Sequence, residues 1–173
     1  MQVALAGFMG VGKSTVGRLL ASELSWTFVD TDEAVEADLG RSIVECFQAG
    51  DEAAFREAEA AAVRRALGGG AAVIALGGGA LLRDDTRALL LEEALLVHLY
   101  VPWAEVRTWI SGYATTRPLL QGRSTQEIHE LYLKRLAVYR EAHLEVAVPR
   151  TSPEDACRRV LGALQADFAP ILV

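Results

Sequence analysis

The chain has 173 residues, of which 51% are hydrophobic and 7% aromatic, and a formal net charge of −6 at pH 7. That length suits one domain with a proper core, and the composition excludes a disordered chain. The acidic balance excludes a general nucleic-acid binder, which needs a basic face, but leaves room for a local arginine cluster to hold a small anion.

In chain order, Val3–Ala6 reads as a short buried strand and runs into Gly7-Phe8-Met9-Gly10-Val11-Gly12-Lys13-Ser14-Thr15. This stretch fits G-x-x-x-x-G-K-[ST] at every position, and Val16, Leu19, Leu20 and Leu24 follow at helical spacing. A strand, glycine loop and helix in that order form a phosphate cradle. The glycines let successive N–H groups turn inward, and the helix adds the positive end of its dipole. Lys13 can then bridge the outer phosphates, and the Ser14 hydroxyl can sit on Mg²⁺.

Trp26–Val29 reads as a second strand ending in Asp30-Thr31-Asp32. Helices are expected at about 32–39, 42–49 and 51–67, the last stopped by Gly68-Gly69-Gly70. Ala71–Leu76 is a third, wholly apolar strand, followed by Gly77-Gly78-Gly79. A helix at about 84–92 precedes a strand at Leu95–Val101, and Pro102 opens a helix to about Ile110. A small, polar loop carries Thr115-Thr116-Arg117-Pro118, and a long amphipathic helix spans about 125–142. Leu144–Val148 is the last strand, and Ser152-Pro153 starts the last helix with a capping residue and proline at its first position. Strands that alternate with helices and read as apolar throughout predict an α/β fold, with a parallel sheet covered on both faces. In such a sheet ligands bind at the carboxyl ends of the strands.

Cys46 and Cys157 lie far apart with no C-x-x-C spacing, so no disulfide framework is expected, in keeping with a reducing cytosol. His98, His129 and His143 show no metal-ligand spacing. No signal peptide fits before the first strand, and no apolar run approaches the roughly 18 residues of a membrane span. A cytoplasmic protein is the expectation, with no nucleic-acid or membrane partner.

Around the loop, Asp30 and Asp32 alternate across a strand end. One division puts Asp30 on the metal, directly or through water, and Asp32 on an acceptor hydroxyl whose proton it can take. The other makes Thr31-Asp32 a cap for the next helix; Asp32 could do both. Of the two glycine triplets, the first needs only a helix stop, whereas the second stands at the ligand-bearing edge, where a substrate can reach backbone N–H groups. Arg56 can pair with Glu59 three residues on, Arg117 directly precedes Pro118, and Arg135 has Tyr139 one turn later. An arginine can grip a carboxylate through two hydrogen bonds or neutralise phosphate, but each of these taken singly also reads as a solvated surface residue.

The ordered set resembles the shikimate kinases over nearly the whole chain: G-F-M-G-V-G-K-S-T, D-T-D at 30–32, F-R-x-x-E at 55–59, L-G-G-G-A at 76–80, R-P-L-L at 117–120 and K-R-x-x-x-Y at 134–139. The resemblance implies a three-layer α/β/α fold with a five-stranded parallel sheet of the nucleoside-monophosphate-kinase type. It implies one kinase domain over 1–173, with an acceptor-binding helical region at about 32–60 and a mobile lid at about 111–124. The implied reaction is ATP- and Mg²⁺-dependent phosphorylation of the 3-hydroxyl of shikimate, on the route to chorismate, by a monomer.

The same resemblance implies that Asp32, Lys13 and Arg117 are catalytic, Asp32 as base and Arg117 reaching the transferring phosphate from the lid. Gly10, Val11, Gly12, Lys13, Ser14, Thr15, Arg117 and Arg150 would hold the nucleotide, and Ser14 and Asp30 the Mg²⁺. Arg56 and Arg135 would bind the shikimate carboxylate, with Gly77, Gly78 and Gly79 lining that pocket and Glu59 holding Arg56. The pattern departs from the family at the adenine. A basic residue several positions before R-P-L-L is usual there, and this chain has Ile110-Ser111-Gly112-Tyr113, with Arg107 further back. Tyr113 or Arg107 is the substitute, and the opposite wall falls at 150–153. The alternatives are another small-molecule kinase of this architecture, for gluconate or a nucleoside monophosphate, and a non-catalytic nucleotide-binding domain. A GTP-dependent switch is disfavoured because D-x-x-G after a strand and N-K-x-D are both absent.

Overall fold

In a computed structural model that describes residues 1–113, 118–149 and 152–168, five parallel strands form one sheet in the order β2-β3-β1-β4-β5. They are β1 (Gln2–Ala6), β2 (Thr27–Asp30), β3 (Ala72–Ala75), β4 (Leu95–Tyr100) and β5 (Leu144–Ala147). Eight α-helices connect and cover them: α1 (Lys13–Leu24), α2 (Thr31–Leu39), α3 (Ile43–Gln48), α4 (Glu52–Leu67), α5 (Asp84–Glu93), α6 (Trp103–Trp109), α7 (Thr125–Tyr139) and α8 (Pro153–Phe168). None of the helices described is long and apolar enough to cross a membrane.

The order places β1 between β3 and β4, with Leu5 paired to Ala75 and Ala6 to His98. The chain leaves β1 toward β2 on one side and later reaches β4 on the other, so the crevice at the end of β1 is where the winding reverses. The phosphate loop fills that position. All of β1 and β3 is buried, as an apolar strand covered by helices on both faces requires. The two edge strands depart from the expectation of continuous burial. Along β2, Thr27 is exposed and the rest half-buried, and β5 exposes Glu145 and Ala147 around a buried Val146. An edge strand packs against fewer neighbours, so one of its faces stays wet.

The main core joins the sheet to the helices around it, while a second small core of Val35, Cys46, Phe55 and Ala62 sits beneath α2, α3 and α4. Helices α3 and α7 each start with a capping box, Ser42 with Glu45 and Ser124 with Glu127. Ser152 accepts from the Asp155 N–H at 3.1 Å ahead of Pro153, the start expected for α8. The stop after α4 has a partner that sequence spacing did not reveal. The buried side-chain amide of Gln2 points at the carbonyls of Leu67, Gly69 and Gly70, each 3.0 Å away. The first glycine triplet is therefore bound into the start of β1, on the opposite edge from the phosphate loop.

Candidate active site

Gly10 and Gly12 have φ of +82° and +93°, the left-handed region that bulkier residues avoid. Gly12 is the residue before α1, and no side chain caps that helix, so its first-turn N–H groups face the cleft as a phosphate site requires. The Lys13 ammonium folds back over the loop, 3.0 Å from the Gly7 carbonyl and 3.4 Å from that of Phe8. The Ser14 hydroxyl donates to Asp30 Oδ2 at 2.5 Å.

Asp30 also resolves the question of capping. Its Oδ1 accepts from the N–H groups of Asp32 at 3.0 Å and Glu33 at 3.4 Å, so Asp30 caps α2 and Asp32 sits inside the first turn. The cap falls one position earlier than the alternative drawn from sequence, which leaves the Asp32 side chain turned to the cleft. Asp32 lines two adjoining cavities.

Three cavities lie in a row. The first, about 640 Å³, runs between the phosphate loop and the start of α8, lined by Gly10, Val11, Gly12, Thr15, Trp109, Tyr113, Pro149 and Pro153 among others. The second, about 620 Å³, holds Lys13, Ser14, Thr15, Asp30 and Asp32, and shares Gly10, Gly12, Thr15 and Tyr113 with the first. The third, about 420 Å³, contains Asp32, Arg56, Glu59, Gly78, Gly79 and Arg135, with Met9, Ile43, Phe47, Phe55 and Leu119 as its apolar wall. Met9, Asp32 and Gly78 belong to both the second and the third.

In the third cavity Arg135 is 1% exposed, and its Nε and Nη1 make no hydrogen bond among the described residues. A buried guanidinium with open donors is costly in free energy unless an anion arrives. Arg56 donates from Nη1 to Glu59 Oε2 at 2.9 Å and from Nη2 to Glu52 Oε1 at 3.2 Å, and lies over the Phe55 ring at 4.9 Å. Burial pushes the Glu59 carboxyl above the usual carboxylate range, with Arg56 pulling it back.

The second triplet is packed in by these charges. A Cβ on Gly78 would stand 2.9 Å from Arg135 Nη1, one on Gly77 would meet Glu59 Oε1 at 2.7 Å, and one on Gly79 would meet the Arg56 guanidinium. Gly77 departs from its expected part as a pocket-lining donor. Its N–H is spent on the Thr31 hydroxyl at 2.8 Å, and only Gly78 and Gly79 line the cavity. Among the described residues the N–H groups of Gly78 and Gly79 have no partner.

The structure thus gathers Gly10 to Thr15, Asp30, Asp32, Arg56, Gly78, Gly79 and Arg135 along one trench. Arg117 and Arg150 lie outside the described residues, as do positions 114–116 of the expected lid. Of the two candidates for the adenine wall, Tyr113 lines the first cavity and Arg107 is exposed on α6 away from it. Trp109 stands on the same wall. Nothing in its sequence neighbourhood signals that place. Thr31 was hidden in the sequence between two more conspicuous aspartates.

The chain is similar to known proteins over nearly its whole length. The shikimate kinase family profile matches residues 9–165. The chain is 42% identical over 165 residues to the shikimate kinase of Streptomyces coelicolor, covering 94% of this chain and 95% of that one. It is 41% identical over 164 residues to that of Moorella thermoacetica, covering 95% and 94%. Its fold superimposes on a shikimate kinase from Acinetobacter baumannii solved in complex with shikimate, with a TM-score of 0.87 and 31% identity over 99% of this chain and 95% of that one. The chain belongs to the shikimate kinase family.

Proposed function

We propose that the trench passes a phosphoryl group from ATP, held along the first two cavities, to the 3-hydroxyl of shikimate in the third, giving shikimate 3-phosphate and ADP. The observation that carries the acceptor's place is Arg135. Its buried guanidinium, whose Nε and Nη1 make no hydrogen bond among the described residues, stands in the cavity that Asp32 shares with the phosphate loop. A small carboxylate with hydroxyl groups suits this lining: Arg135 and Arg56 take the carboxylate, and Asp32 with the Gly78 and Gly79 N–H groups takes the hydroxyls.

The 3-hydroxyl oxygen attacks the γ-phosphorus, the bond from that phosphorus to the β,γ-bridging oxygen breaks, and Asp32 receives the hydroxyl proton. Lys13, now resting on the Gly7 and Phe8 carbonyls, turns to the outer phosphates, and the N–H groups of Gly10 to Thr15 hold the remainder. A hydroxyl and a carboxylate oxygen side by side are hard donors that fit Mg²⁺, so Ser14 and Asp30 would hold it. Phosphate oxygens of ATP would complete the shell of such an ion. When bound, Mg²⁺ neutralises charge on the transferring group.

Arg117 and Arg150 keep the parts their motif positions imply, at the transferring phosphate and the nucleotide. The helices at about 32–60, with their own small core, serve as the acceptor-binding region. The same reading takes the protein to work as a monomer in the cytoplasm, where ATP is supplied.

The test is ADP release by purified protein with Mg²⁺ and ATP, given shikimate, gluconate, AMP or no acceptor. Release that depends on shikimate is expected. Release independent of it, or none with it, would overturn the assignment of the third cavity.

A further inference from the structure

Thr31 is fully buried between the two aspartates, and its hydroxyl makes two bonds across the sheet edge. It accepts from the Gly77 N–H at 2.8 Å and donates to the Ala75 carbonyl at 3.3 Å. One residue after Gly77, the Gly78 carbonyl accepts from the Tyr139 hydroxyl at 2.8 Å. The Gly77 and Gly79 carbonyls go to the N–H groups of Ala80 at 3.1 Å and Leu82 at 2.9 Å. Among the described residues every polar backbone group of the triplet is therefore engaged, except the N–H groups of Gly78 and Gly79, the two members that line the third cavity.

Three glycines in succession would otherwise have wide conformational freedom, and a flexible donor pair binds poorly because its ordering must be supplied by the ligand. We propose that Thr31 and Tyr139 are positioning residues for the acceptor: their hydroxyls pin Gly77 and Gly78 so that the Gly78 and Gly79 N–H groups are held ready for the acceptor hydroxyls. The pin reaches further than the triplet. Thr31 lies between Asp30 and Asp32 on the backbone, so the same bond fixes the carboxylate of Asp32 against the donors on the other side of the acceptor. Neither residue lines the third cavity. The Thr31 hydroxyl stands behind Gly77, and Tyr139 is packed against His98 with ring centroids 5.3 Å apart.

The inference rests on the acceptor occupying the third cavity, and the experiment separates the two. Steady-state kinetics with shikimate and ATP are measured for Thr31→Val, Thr31→Ser, Tyr139→Phe and Arg135→Ala, with thermal melts of each. Thr31→Val keeps shape and removes the hydroxyl. It is expected to raise KM for shikimate about tenfold while KM for ATP stays within about twofold. Thr31→Ser keeps the hydroxyl and is expected to return within about threefold of the parent, and Tyr139→Phe to raise KM for shikimate about fivefold.

A purely structural role would lower Tm and leave both KM values alone below the melt, or move both together. Either result overturns the proposal, as does a serine variant that behaves like valine. Should Thr31→Val fail to fold, Tyr139→Phe decides alone. If Arg135→Ala leaves KM for shikimate unchanged, the cavity assignment falls; if it raises that KM while the hydroxyl variants do not, only the pinning falls.

Discussion

The indole Nε1 of Trp109 lies 2.7 Å from the point where a Cβ on Gly10 would stand, and Tyr113 Cε2 lies 3.0 Å from the same point. Two aromatic edges are therefore seated on the phosphate loop where the backbone carries a φ of +82°. Gly10→Ala must both strain the backbone, by about 1–2 kcal/mol, and push the rings away. The expected outcome is a Tm lower by several degrees and a raised KM for ATP, measured by thermal melt and ADP release. An alanine variant with parental values of both would remove the packing from the account.

Tyr113 lines both of the first two cavities, sharing the first with Pro149 and Pro153, and its ring suits stacking on a base. Stacking of one base on one aromatic ring is worth about 1–3 kcal/mol. Tyr113→Ala is expected to raise KM for ATP by roughly 5- to 150-fold with KM for shikimate little changed. An equal rise in both would assign Tyr113 to the shape of the trench as a whole.

Asp32 is the described carboxylate that lines both the phosphate cavity and the acceptor cavity. Asp32→Asn keeps the shape but accepts no proton, so kcat should fall roughly 100- to 10,000-fold while ATP still binds. Nucleotide affinity by calorimetry, set beside turnover, checks this; a rate near the parent would confine Asp32 to binding.

Removing Arg135 takes away a buried cation whose Nε and Nη1 are open. Arg135→Ala is expected to weaken shikimate binding by about 2–5 kcal/mol, with binding of ATP retained. Equilibrium titration with shikimate alone measures it, and unchanged affinity would take Arg135 out of the acceptor site.

His98 gives the fold a pH dependence. It is 2% exposed on β4, and burial holds its pKa below the usual imidazole value, with Glu145 at 3.0 Å favouring the proton and Arg140 and Lys13 opposing it. The unfolded chain then binds a proton more readily than the folded one. Stability from this group is present above about pH 6.5 and declines as pH falls from there toward the folded value. Tm followed from pH 7.5 to 5 should fall more steeply in the parent than in His98→Gln. Parallel slopes would assign the decline to other groups.

Much of this was legible before any coordinates. The phosphate loop, the alternation of strands and helices and the strand-end position of Gly77 to Gly79 follow from local chemistry, since glycine φ, dipoles and apolar runs act over a few residues. The convergence of Arg56 on α4 with Arg135 on α7 was not legible from spacing, because each alone has the composition of a solvated surface position. It became so only through the ordered set of motifs. The part played by Thr31 was hidden for a different reason. Its partners, Ala75 and Gly77, lie 44 and 46 residues away, and nothing in its neighbours marks it as more than a linker between aspartates. Asp30, Thr31 and Asp32 are all good capping types, and only register settles that Asp30 caps α2.

The two runs of three glycines are identical as text and opposite in what they can survive. Added methyl groups at Gly68, Gly69 and Gly70 would meet carbonyl oxygens at 3.6 Å, at 3.4 Å and nothing, ordinary contacts for a side chain. At Gly77, Gly78 and Gly79 the same methyl would collide with Glu59, Arg135 and Arg56, the charges that make the acceptor cavity. Under random mutation with selection for growth, the first run is free to drift to alanine or serine. The second can take a methyl only by shifting the charged ends that the acceptor needs, so selection for activity holds it where the first run is free.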